Sequence, residues 1–364
     1  MRYIDEFRDK KLAAALSGHI ARLVPERGLK FMEVCGTHTM SFMRFGLDKM
    51  LPGNLRLISG PGCPVCVSAQ GYIDKAVCLA KDKDNIILTF GDMLRVPGSD
   101  STLEKERAAH GNIHMVYSPL DALRFAKGNP EKKIIFLAVG FETTIPTIAL
   151  SMVVAKKEKI RNLFFLCSLK TIPAAMELLA RDKALALDGF LCPGHVSAII
   201  GSGAYEFIVK KYGIACCVAG FEPVDMLEGI LFLVEQSIGK KTLRVENQYN
   251  RVVTKNGNLK AQRIISRVFS PCDVAWRGLG IIPGSGLKIK KEFASFDAEK
   301  EFKISCLPVG SDKRLSKCKC GDVLKGKISP AECPIFRRSC TPENPFGPCM
   351  VSIEGACNAY YKYR

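Results

Sequence analysis

The sequence lacks any long uninterrupted run of apolar residues. No segment approaches the roughly 20 apolar residues that a helix needs to cross a bilayer, so we expect no membrane-spanning segment. Residues 1–22 are typical of a charged amphipathic helix and have neither the apolar centre nor the small-residue cleavage site of a signal peptide. We therefore predict a cytoplasmic protein in a reducing compartment, where clustered cysteines more often bind metal or carry electrons than form disulfides.

Acidic residues are scarce, with 36 Asp and Glu against 53 Lys and Arg, which gives a formal net charge of +17. Basic proteins often bind nucleic acid, but they then concentrate Lys and Arg on one element with interleaved aromatic residues. Here the basic residues are scattered, as in Lys156-Lys157, Lys210-Lys211 and 288–291. This distribution indicates a solvated basic surface that could face an acidic protein partner, and it argues against a nucleic-acid ligand.

A dinucleotide-binding fingerprint is also missing, because no complete Gly-x-Gly-x-x-Gly follows a predicted strand. Apolar runs of strand length are nevertheless frequent, and most precede a segment with helical periodicity. They cover 55–58, 85–90, 113–117, 133–139, 163–167, 189–191 and 215–219. Strands that alternate with helices indicate parallel sheets, so the predicted fold class is α/β. The near repeat of residues 138–142 at 218–222 favours two related Rossmann-like units.

Polar motifs follow several of these predicted strands. They are Gly91-Asp92, the segment 142–144 with Glu142, and the segment 193–197 with His195. Asp92 could simply cap a helix, and His195 could be an interior histidine held by hydrogen bonds. Functional groups in parallel sheets gather beyond the carboxyl ends of the strands, so three such loops together indicate a polar cleft.

Cysteine is abundant, with 16 residues that fall into unlike groups. Cys35 begins Cys-Gly-Thr-His-Thr, in which His38 lies three residues on and could favour the reactive thiolate. The alternative is a cysteine that only packs after the apolar run 31–34. Cys63 and Cys66 form a C-x-x-C, a spacing that suits either a dithiol/disulfide couple or half of a zinc site, and we favour the redox couple.

The C-terminal stretch contains six closely spaced cysteines among Pro, Gly and Lys. They are Cys318, Cys320, Cys333, Cys340, Cys349 and Cys357. Four of them form a C-x14-C-x6-C-x16-C series, without the compact pairs of a zinc ribbon, which favours an iron-sulfur cluster held by Cys318, Cys333, Cys340 and Cys357. Cys320 and Cys349 could pair with each other as a disulfide, or one of them could replace a member of that set. Spacing alone leaves this choice open.

Seven cysteines outside these motifs mostly stand in apolar surroundings and are expected to pack in the core. They are Cys78, Cys167, Cys192, Cys216, Cys217, Cys272 and Cys306.

Long ordered motifs from about residue 31 to the C-terminus resemble the HypD family of hydrogenase maturation proteins. They are Cys-Gly-Thr-His-Thr at 35–39, Gly-Pro-Gly-Cys-Pro-Val-Cys at 60–66, Gly-Phe-Glu-Thr-Thr at 140–144, Pro-Gly-His-Val-Ser at 193–197 and the ending at 348–357. The resemblance implies a cytoplasmic scaffold that joins a small HypC-type chaperone. It further implies that the two hold the iron that becomes the Fe(CN)2(CO) group of nickel-iron hydrogenase, while a HypE-type protein delivers cyanide made from carbamoyl phosphate.

The resemblance also implies roles for single residues. Cys35 would be the protein thiolate on that iron, beside the N-terminal cysteine of the chaperone, because soft thiolate suits ferrous iron that accepts cyanide and carbon monoxide. His38 would tune Cys35. Glu142 and His195 would line the cleft of cyanide transfer as acid, base or hydrogen-bond donor.

The cofactor implied by the resemblance is a 4Fe-4S cluster on Cys318, Cys333, Cys340 and Cys357. Cys63 with Cys66 would pass electrons between that cluster and the iron, in an arrangement similar to ferredoxin-thioredoxin reductase.

The predicted domains are two α/β units at 55–146 and 147–237, and a third domain that joins 1–54 to 238–364 and carries the cluster within 318–357. Two other functions compete with a maturation scaffold. One is a stand-alone iron-sulfur thiol-disulfide oxidoreductase, and the other is a basic zinc-binding nucleic-acid protein.

Overall fold

The computed structural model describes residues 5–304 and 317–364 and has an α/β fold with two parallel sheets. The strands are β1 Leu29–Glu33, β2 Leu55–Ser59, β3 Asn85–Thr89, β4 Ile113–Met115, β5 Lys133–Gly140, β6 Leu163–Leu169, β7 Gly189–Pro193, β8 Ala215–Ala219, β9 Val245–Asn247, β10 Phe269–Trp276 and β11 Gly280–Ile289. Within the described ranges, no helix has the length and apolar character needed to cross a membrane.

Fifteen α-helices are assigned in the described part of the chain. They are α1 Lys10–Leu23, α2 Gly36–Arg44, α3 Gln70–Ala80, α4 Leu103–His110, α5 Asp121–Gly128, α6 Ile145–Lys157, α7 Ile172–Arg181, α8 Gly194–Ile200, α9 Glu206–Tyr212, α10 Pro223–Ser237, α11 Leu259–Val268, α12 Ala298–Phe302, α13 Cys320–Leu324, α14 Pro348–Val351 and α15 Ala356–Tyr363. Short 3-10 turns lie at Asp5–Arg8, Leu47–Lys49, Gly91–Arg95, Lys183–Leu185, Ser202–Tyr205, Lys291–Phe296 and Pro330–Glu332.

Five strands form the first parallel sheet, in the order β2-β1-β7-β8-β9. Four strands form the second, in the order β4-β3-β5-β6. The predicted α/β class with two Rossmann-like sheets is therefore confirmed. The strands β3, β7 and β8 are buried along their whole length, as expected when helices cover both faces of a parallel sheet.

All seven strands expected from apolar runs are present, but four others are not among those expectations. The segment β1 contains the charged Lys30 and Glu33, which interrupt its apolar pattern. The antiparallel pair β10 and β11 is half exposed and contains Pro271, so it lacks the continuous apolar signal of a buried strand. The strand β9 is only three residues long.

Strand pairing links segments across the limits of the predicted domains. The strand β2 pairs with β1, which lies before residue 55, and β1 also pairs with β7. The strand β6 lies after residue 146 but pairs with β5. The first sheet is thus assembled from distant parts of the chain, while the division into three domains stays a prediction.

Of the helix expected over residues 1–22, the structure has α1 from Lys10 onward, preceded by the 3-10 turn Asp5–Arg8. Asp9 caps α1, since its Oδ1 accepts hydrogen bonds from the backbone N–H groups of Lys11 and Leu12 at 2.7 and 3.0 Å. A cap of this kind contributes about 1 kcal/mol to helix stability. The buried Ala13 and Ile20 mark the apolar face of α1, which packs against α10. The N-terminal helix is thereby fixed to the first sheet.

Candidate functional site

Cys35 lies between β1 and α2, at the carboxyl edge of the first sheet. It is the N-cap residue of α2, where the backbone N–H groups of Thr37 and His38 favour the thiolate form of its side chain. Gly62 follows β2, the neighbouring strand, and its backbone lies so close to Cys35 that a Cβ atom would overlap the Cys35 backbone. This glycine therefore allows the Cys63 loop to lie directly against Cys35.

The free Cys35 thiol holds its proton tightly. Burial raises its pKa to about 12, and the carboxyl groups of Glu354 and Glu33 add to the rise, while the two α2 amides oppose it. A soft metal must therefore displace the proton when it binds, since the thiolate is the metal ligand. Residues around Cys35 hold it in place without activating it as a free nucleophile.

Glu33 anchors the Cys35 loop from inside the sheet. Its Oε2 accepts a hydrogen bond from the Cys35 backbone N–H at 3.1 Å, and its Oε1 accepts one from the Thr39 hydroxyl. Burial raises the pKa of Glu33 to about 8. The sequence analysis assigned no role to Glu33, because a single carboxyl group inside an apolar run gave no signal.

The C-terminal tail reaches the same site through Glu354. Its Oε1 accepts a hydrogen bond from the Thr37 hydroxyl at 2.7 Å, and its backbone carbonyl contacts Gly36. Asp92, at the carboxyl edge of the second sheet, also faces Glu354 and raises its pKa in addition to burial. Both sheets and the tail therefore meet beside Cys35. The role of Glu354 was missed, although it stands inside the ending motif that carried the family resemblance.

His38 and His195 both contact the ring of Phe221. The ring centroids are 4.8 Å apart for His38 and Phe221, and 4.2 Å apart for His195 and Phe221. The Nε2 of His38 bonds the Ala219 and Gly220 carbonyls at 3.1 and 2.9 Å, while its Nδ1 is buried without a partner among the described residues. Burial lowers the pKa of His38 to about 4.

His195 differs from His38 because its side chain is exposed at the start of α8. Partial burial lowers its pKa. His38 is therefore a neutral, interior ring, whereas His195 is open to a ligand. His38 acts on the Cys35 thiol through its backbone amide, so tuning of Cys35 by the His38 ring stays a prediction.

Glu142 lies in the loop after β5, on the second sheet. Its Oε1 accepts a hydrogen bond from the Ile172 backbone N–H at 3.0 Å, and its Oε2 is buried without a partner among the described residues. The Glu142 carboxyl also interacts with Tyr205, which belongs to the neighbouring α8–α9 region. Glu142 thus lies between the two sheets, with one oxygen available.

We expect Glu142 to make stability depend on pH. Burial raises its pKa from 4.5 to about 7, so between these values the native protein keeps a proton that the unfolded chain has released. Stability should therefore fall as the pH rises through this window, by up to about 3 kcal/mol. The Glu142→Gln variant keeps an oxygen for the Ile172 amide, and its thermal midpoint should change less between pH 5 and pH 7.

The matched control is Glu131→Gln, since Glu131 is exposed. An unchanged pH dependence in Glu142→Gln would show that the Glu142 carboxyl is ionised in the native protein.

The C-x-x-C lies at the end of a continuous series of sulfur contacts. The Cys66 backbone N–H donates to the Cys63 sulfur at 3.3 Å, and the Cys66 thiol also contacts Cys349. Cys349 contacts Cys320 in turn, and Cys320 contacts Cys318. The structure therefore brings the two unassigned tail cysteines together, between the C-x-x-C and the first predicted cluster ligand. We call Cys63, Cys66, Cys349 and Cys320 the thiol series.

The four predicted cluster cysteines converge on one another. Cys357 interacts electrostatically with Cys318, Cys333 and Cys340, and Cys340 interacts with Cys318 and Cys333. No three His, Cys, Asp or Glu side chains in residues 5–304 and 317–364 are arranged to bind one metal ion. A 4Fe-4S cluster instead places each cysteine on a different iron, so its ligands lie farther apart than those of a single ion.

The surroundings of these sulfurs fit such a cluster. The Phe346 backbone N–H donates to the Cys340 sulfur at 3.4 Å, and hydrogen bonds of this kind tune iron-sulfur centres. A Cβ on Gly347 would lie 2.9 Å from the Cys318 sulfur, so a side chain there would crowd the site. The contact with Cys320, followed by burial, raises the pKa of Cys318, so bound iron must displace a proton here too.

The seven cysteines outside the motifs were expected to pack in the core, and the described ones differ in burial. Cys192, Cys216 and Cys217 lie in the core, as expected, and Cys167 and Cys272 are half-buried. Cys78 is exposed on α3, which contradicts its assignment to the core, because it falls on the outer face of that helix. Cys306 lies outside the described residues.

Comparison with known proteins gives consistent matches over the chain. The HypD family, described as "Hydrogenase formation hypA family", matches residues 11–364. The hydrogenase maturation factor HypD of Escherichia coli (strain K12) is 43% identical over 371 residues, which cover 100% of this chain and 98% of that protein. The factors named HypD from Azotobacter vinelandii and Cupriavidus necator are each 44% identical, over 100% of this chain and 97% of each relative.

Proposed function

This chain belongs to the HypD family of hydrogenase maturation factors, and on that premise we propose that it is a cytoplasmic scaffold and redox protein for the Fe(CN)2(CO) group of nickel-iron hydrogenase. It would act with a HypC-type chaperone and a HypE-type cyanide donor. One observation carries the proposal: Cys35, the C-x-x-C and the tail cysteines, which are far apart in sequence, meet around the carboxyl edge of one sheet.

The iron is the cargo of this site. Cys35 supplies one thiolate at the start of α2, Glu33 holds the Cys35 backbone, and the chaperone supplies another ligand. Thiolate is a soft ligand and suits ferrous iron that also accepts cyanide and carbon monoxide. The rigid loop around Cys35 keeps the ligand in one orientation while the cargo is built.

Electrons would reach the iron along the thiol series. A 4Fe-4S cluster on Cys318, Cys333, Cys340 and Cys357 would supply electrons one at a time when bound. A Cys63–Cys66 disulfide takes up two electrons and two protons, breaks its S–S bond and yields two thiols. Cys349 and Cys320 lie between the two groups and serve as the intervening redox pair.

His195 and Glu142 are suited to the acid–base part of cyanide transfer. His195 is exposed beside Phe221, so its ring can reach a ligand in the cleft. Burial raises the pKa of Glu142 to about 7, so its carboxyl is near half protonation in neutral solution and can donate a hydrogen bond or a proton. His38 positions the α2 terminus through the Ala219 and Gly220 carbonyls.

Anaerobic purification with the HypC-type partner tests the proposal. We expect a brown protein with four iron atoms and labile sulfide in the tail, and infrared bands of metal-bound cyanide and carbon monoxide in the complex. The alternative function, a stand-alone thiol-disulfide oxidoreductase, predicts the cluster without those bands. A protein that contains zinc and no labile sulfide would contradict both.

A serine at position 349 should interrupt the thiol series. When a chemical reductant is added to Cys349→Ser, the Cys63–Cys66 disulfide should be reduced at least about tenfold more slowly than in the unmodified protein. The reason is that a hydroxyl cannot take part in thiol exchange. Rapid alkylation followed by mass spectrometry of the 63–66 peptide measures the rate. Iron content should stay as in the unmodified protein.

The matched control is Cys216→Ser, another buried cysteine, which lies in β8 outside the thiol series. Equal rates in the two variants would remove Cys349 from the electron path.

A further inference from the structure

The thiol series has an inner and an outer end. Cys63, Cys66 and Cys349 are 3%, 0% and 1% exposed, so a protein partner has no direct access to them. Cys318, beyond Cys320, is only half-buried. Electrons that enter from another protein must therefore arrive at the outer surface of the tail, near Cys318.

Basic side chains surround this outer end. Lys317 and Lys319 flank Cys318 directly, and both are exposed. Arg337 and Arg338 are also exposed and lie between two other predicted cluster cysteines. We call these four residues the tail patch. Among the described residues, none of the four forms an ion pair, so no carboxylate neutralises their charges.

The arginines of the tail patch are held at the tip of a tight turn. The Phe336 N–H donates to the Cys333 carbonyl at 3.0 Å, and the Cys340 N–H donates to the Ile335 carbonyl at 3.0 Å. Arg337 has a positive φ of 57°, and its guanidinium donates to the Tyr361 carbonyl at 3.0 Å. The turn thereby brings Arg337 and its neighbour close to the converging cysteines.

Acidic residues of the tail do not cancel this charge. Residues 317–364 contain eight Lys and Arg against four Asp and Glu. Of the acidic groups, Glu354 faces Thr37 at the Cys35 site, and Glu332 accepts a hydrogen bond from the Ser329 N–H at 2.7 Å. A further basic side chain, Arg277 of the β10–β11 hairpin, interacts electrostatically with Cys318 and Cys320. Basic residues of the tail therefore outnumber its acidic residues two to one.

We propose that the tail patch docks a small acidic protein that carries one electron at a time. The inference rests on the proposed function, since it supplies the reductant for the Cys63–Cys66 disulfide. Two molecules of the reduced carrier each lose one electron, and the disulfide takes up the two electrons with two protons from solvent. Complementary charge would speed this encounter, because electrostatic steering raises association rates about 10- to 1,000-fold.

The test uses the complete, anaerobically purified protein and a recombinant plant-type ferredoxin as the acidic probe. Association is measured by stopped flow or calorimetry at low and high salt. The variant Lys317→Glu/Lys319→Glu/Arg338→Glu should bind the probe at least about tenfold more weakly at low salt, and high salt should remove the difference. Arg337 is left intact because its guanidinium also supports the turn.

The matched control is Lys240→Glu/Lys260→Glu/Arg263→Glu. It reverses three exposed basic residues outside the tail and changes the net charge equally. It should change binding by less than about twofold, since the contacts are local. Equal losses in the two triple variants would overturn the inference, as would binding that does not depend on salt.

Two further outcomes separate this inference from its premise. If the triple Glu variant loses iron, the binding measurement is repeated with Lys319→Gln/Arg338→Gln, which only neutralises charge. Unchanged ferredoxin binding in this variant then refutes the docking surface. If short single-stranded DNA competes for the tail patch as well as the ferredoxin does, the surface is a general polyanion site. A protein without labile sulfide refutes the proposed function, whereas intact sulfide with unaltered ferredoxin binding refutes only the docking surface.

Discussion

Cys35→Ser should abolish the infrared bands of cyanide and carbon monoxide in the complex with the HypC-type chaperone. The hydroxyl nearly matches the thiol in size, and Glu33 can still hold the loop through the backbone N–H of residue 35. A neutral hydroxyl is a hard, weak ligand for ferrous iron, and the cargo should therefore be lost almost completely. Iron and sulfide in the tail should be unchanged.

The control for this result is Cys167→Ser, which alters a half-buried cysteine in β6. It should keep the bands at their original intensity. Bands that persist in Cys35→Ser at full intensity would mean that another group holds the iron, and the convergence at Cys35 would then have a structural purpose only.

Cys340→Ala should remove the cluster and loosen the tail. Cys340 converges with the other predicted ligands, and its loss leaves three cysteines for four irons. Because metal binding is coupled to folding, the segment 317–364 should also become more accessible, with proteolytic cleavage about tenfold faster or more. Iron and sulfide analysis and limited proteolysis measure the two effects.

Cys320→Ala is the decisive comparison for the ligand set. Cys320 is as deeply buried as Cys340, at 8% and 6% exposure, and lies beside Cys318. If the four ligands are chosen correctly, Cys320→Ala keeps its iron and only slows electron transfer. If Cys320→Ala loses iron and Cys340→Ala retains it, then Cys320 is a cluster ligand in place of Cys340.

Much of the fold could be predicted because buried parallel strands carry a strong local signal. The run 133–139 is apolar from residue 134 onward, and the structure places β5 there. The strand β1 was not identified, since Lys30 and Glu33 interrupt its pattern and its burial depends on β2 and β7, which are distant in sequence. Local pattern does not record such long-range pairing.

The same distinction applies to the candidate site. The cysteine motifs could be selected from spacing and from family resemblance, and the structure brings those cysteines together, while their roles stay predictions. Glu33 and Glu354 could not be selected. A lone carboxyl group has no motif, and its importance here comes from the Cys35 amide and the Thr37 hydroxyl that it holds.

By itself, the sequence determined the α/β class, the family and the thiol-rich chemistry, because composition, periodicity and motif spacing are local properties of a chain. Only the tertiary structure decided that Cys66 contacts Cys349 and that Thr37 bonds Glu354, 317 positions away. Contacts over such separations arise when the sheets pack and bury apolar surface, which is a property of the whole chain. The proximity of the tail to the Cys35 loop and to the C-x-x-C is therefore a product of folding.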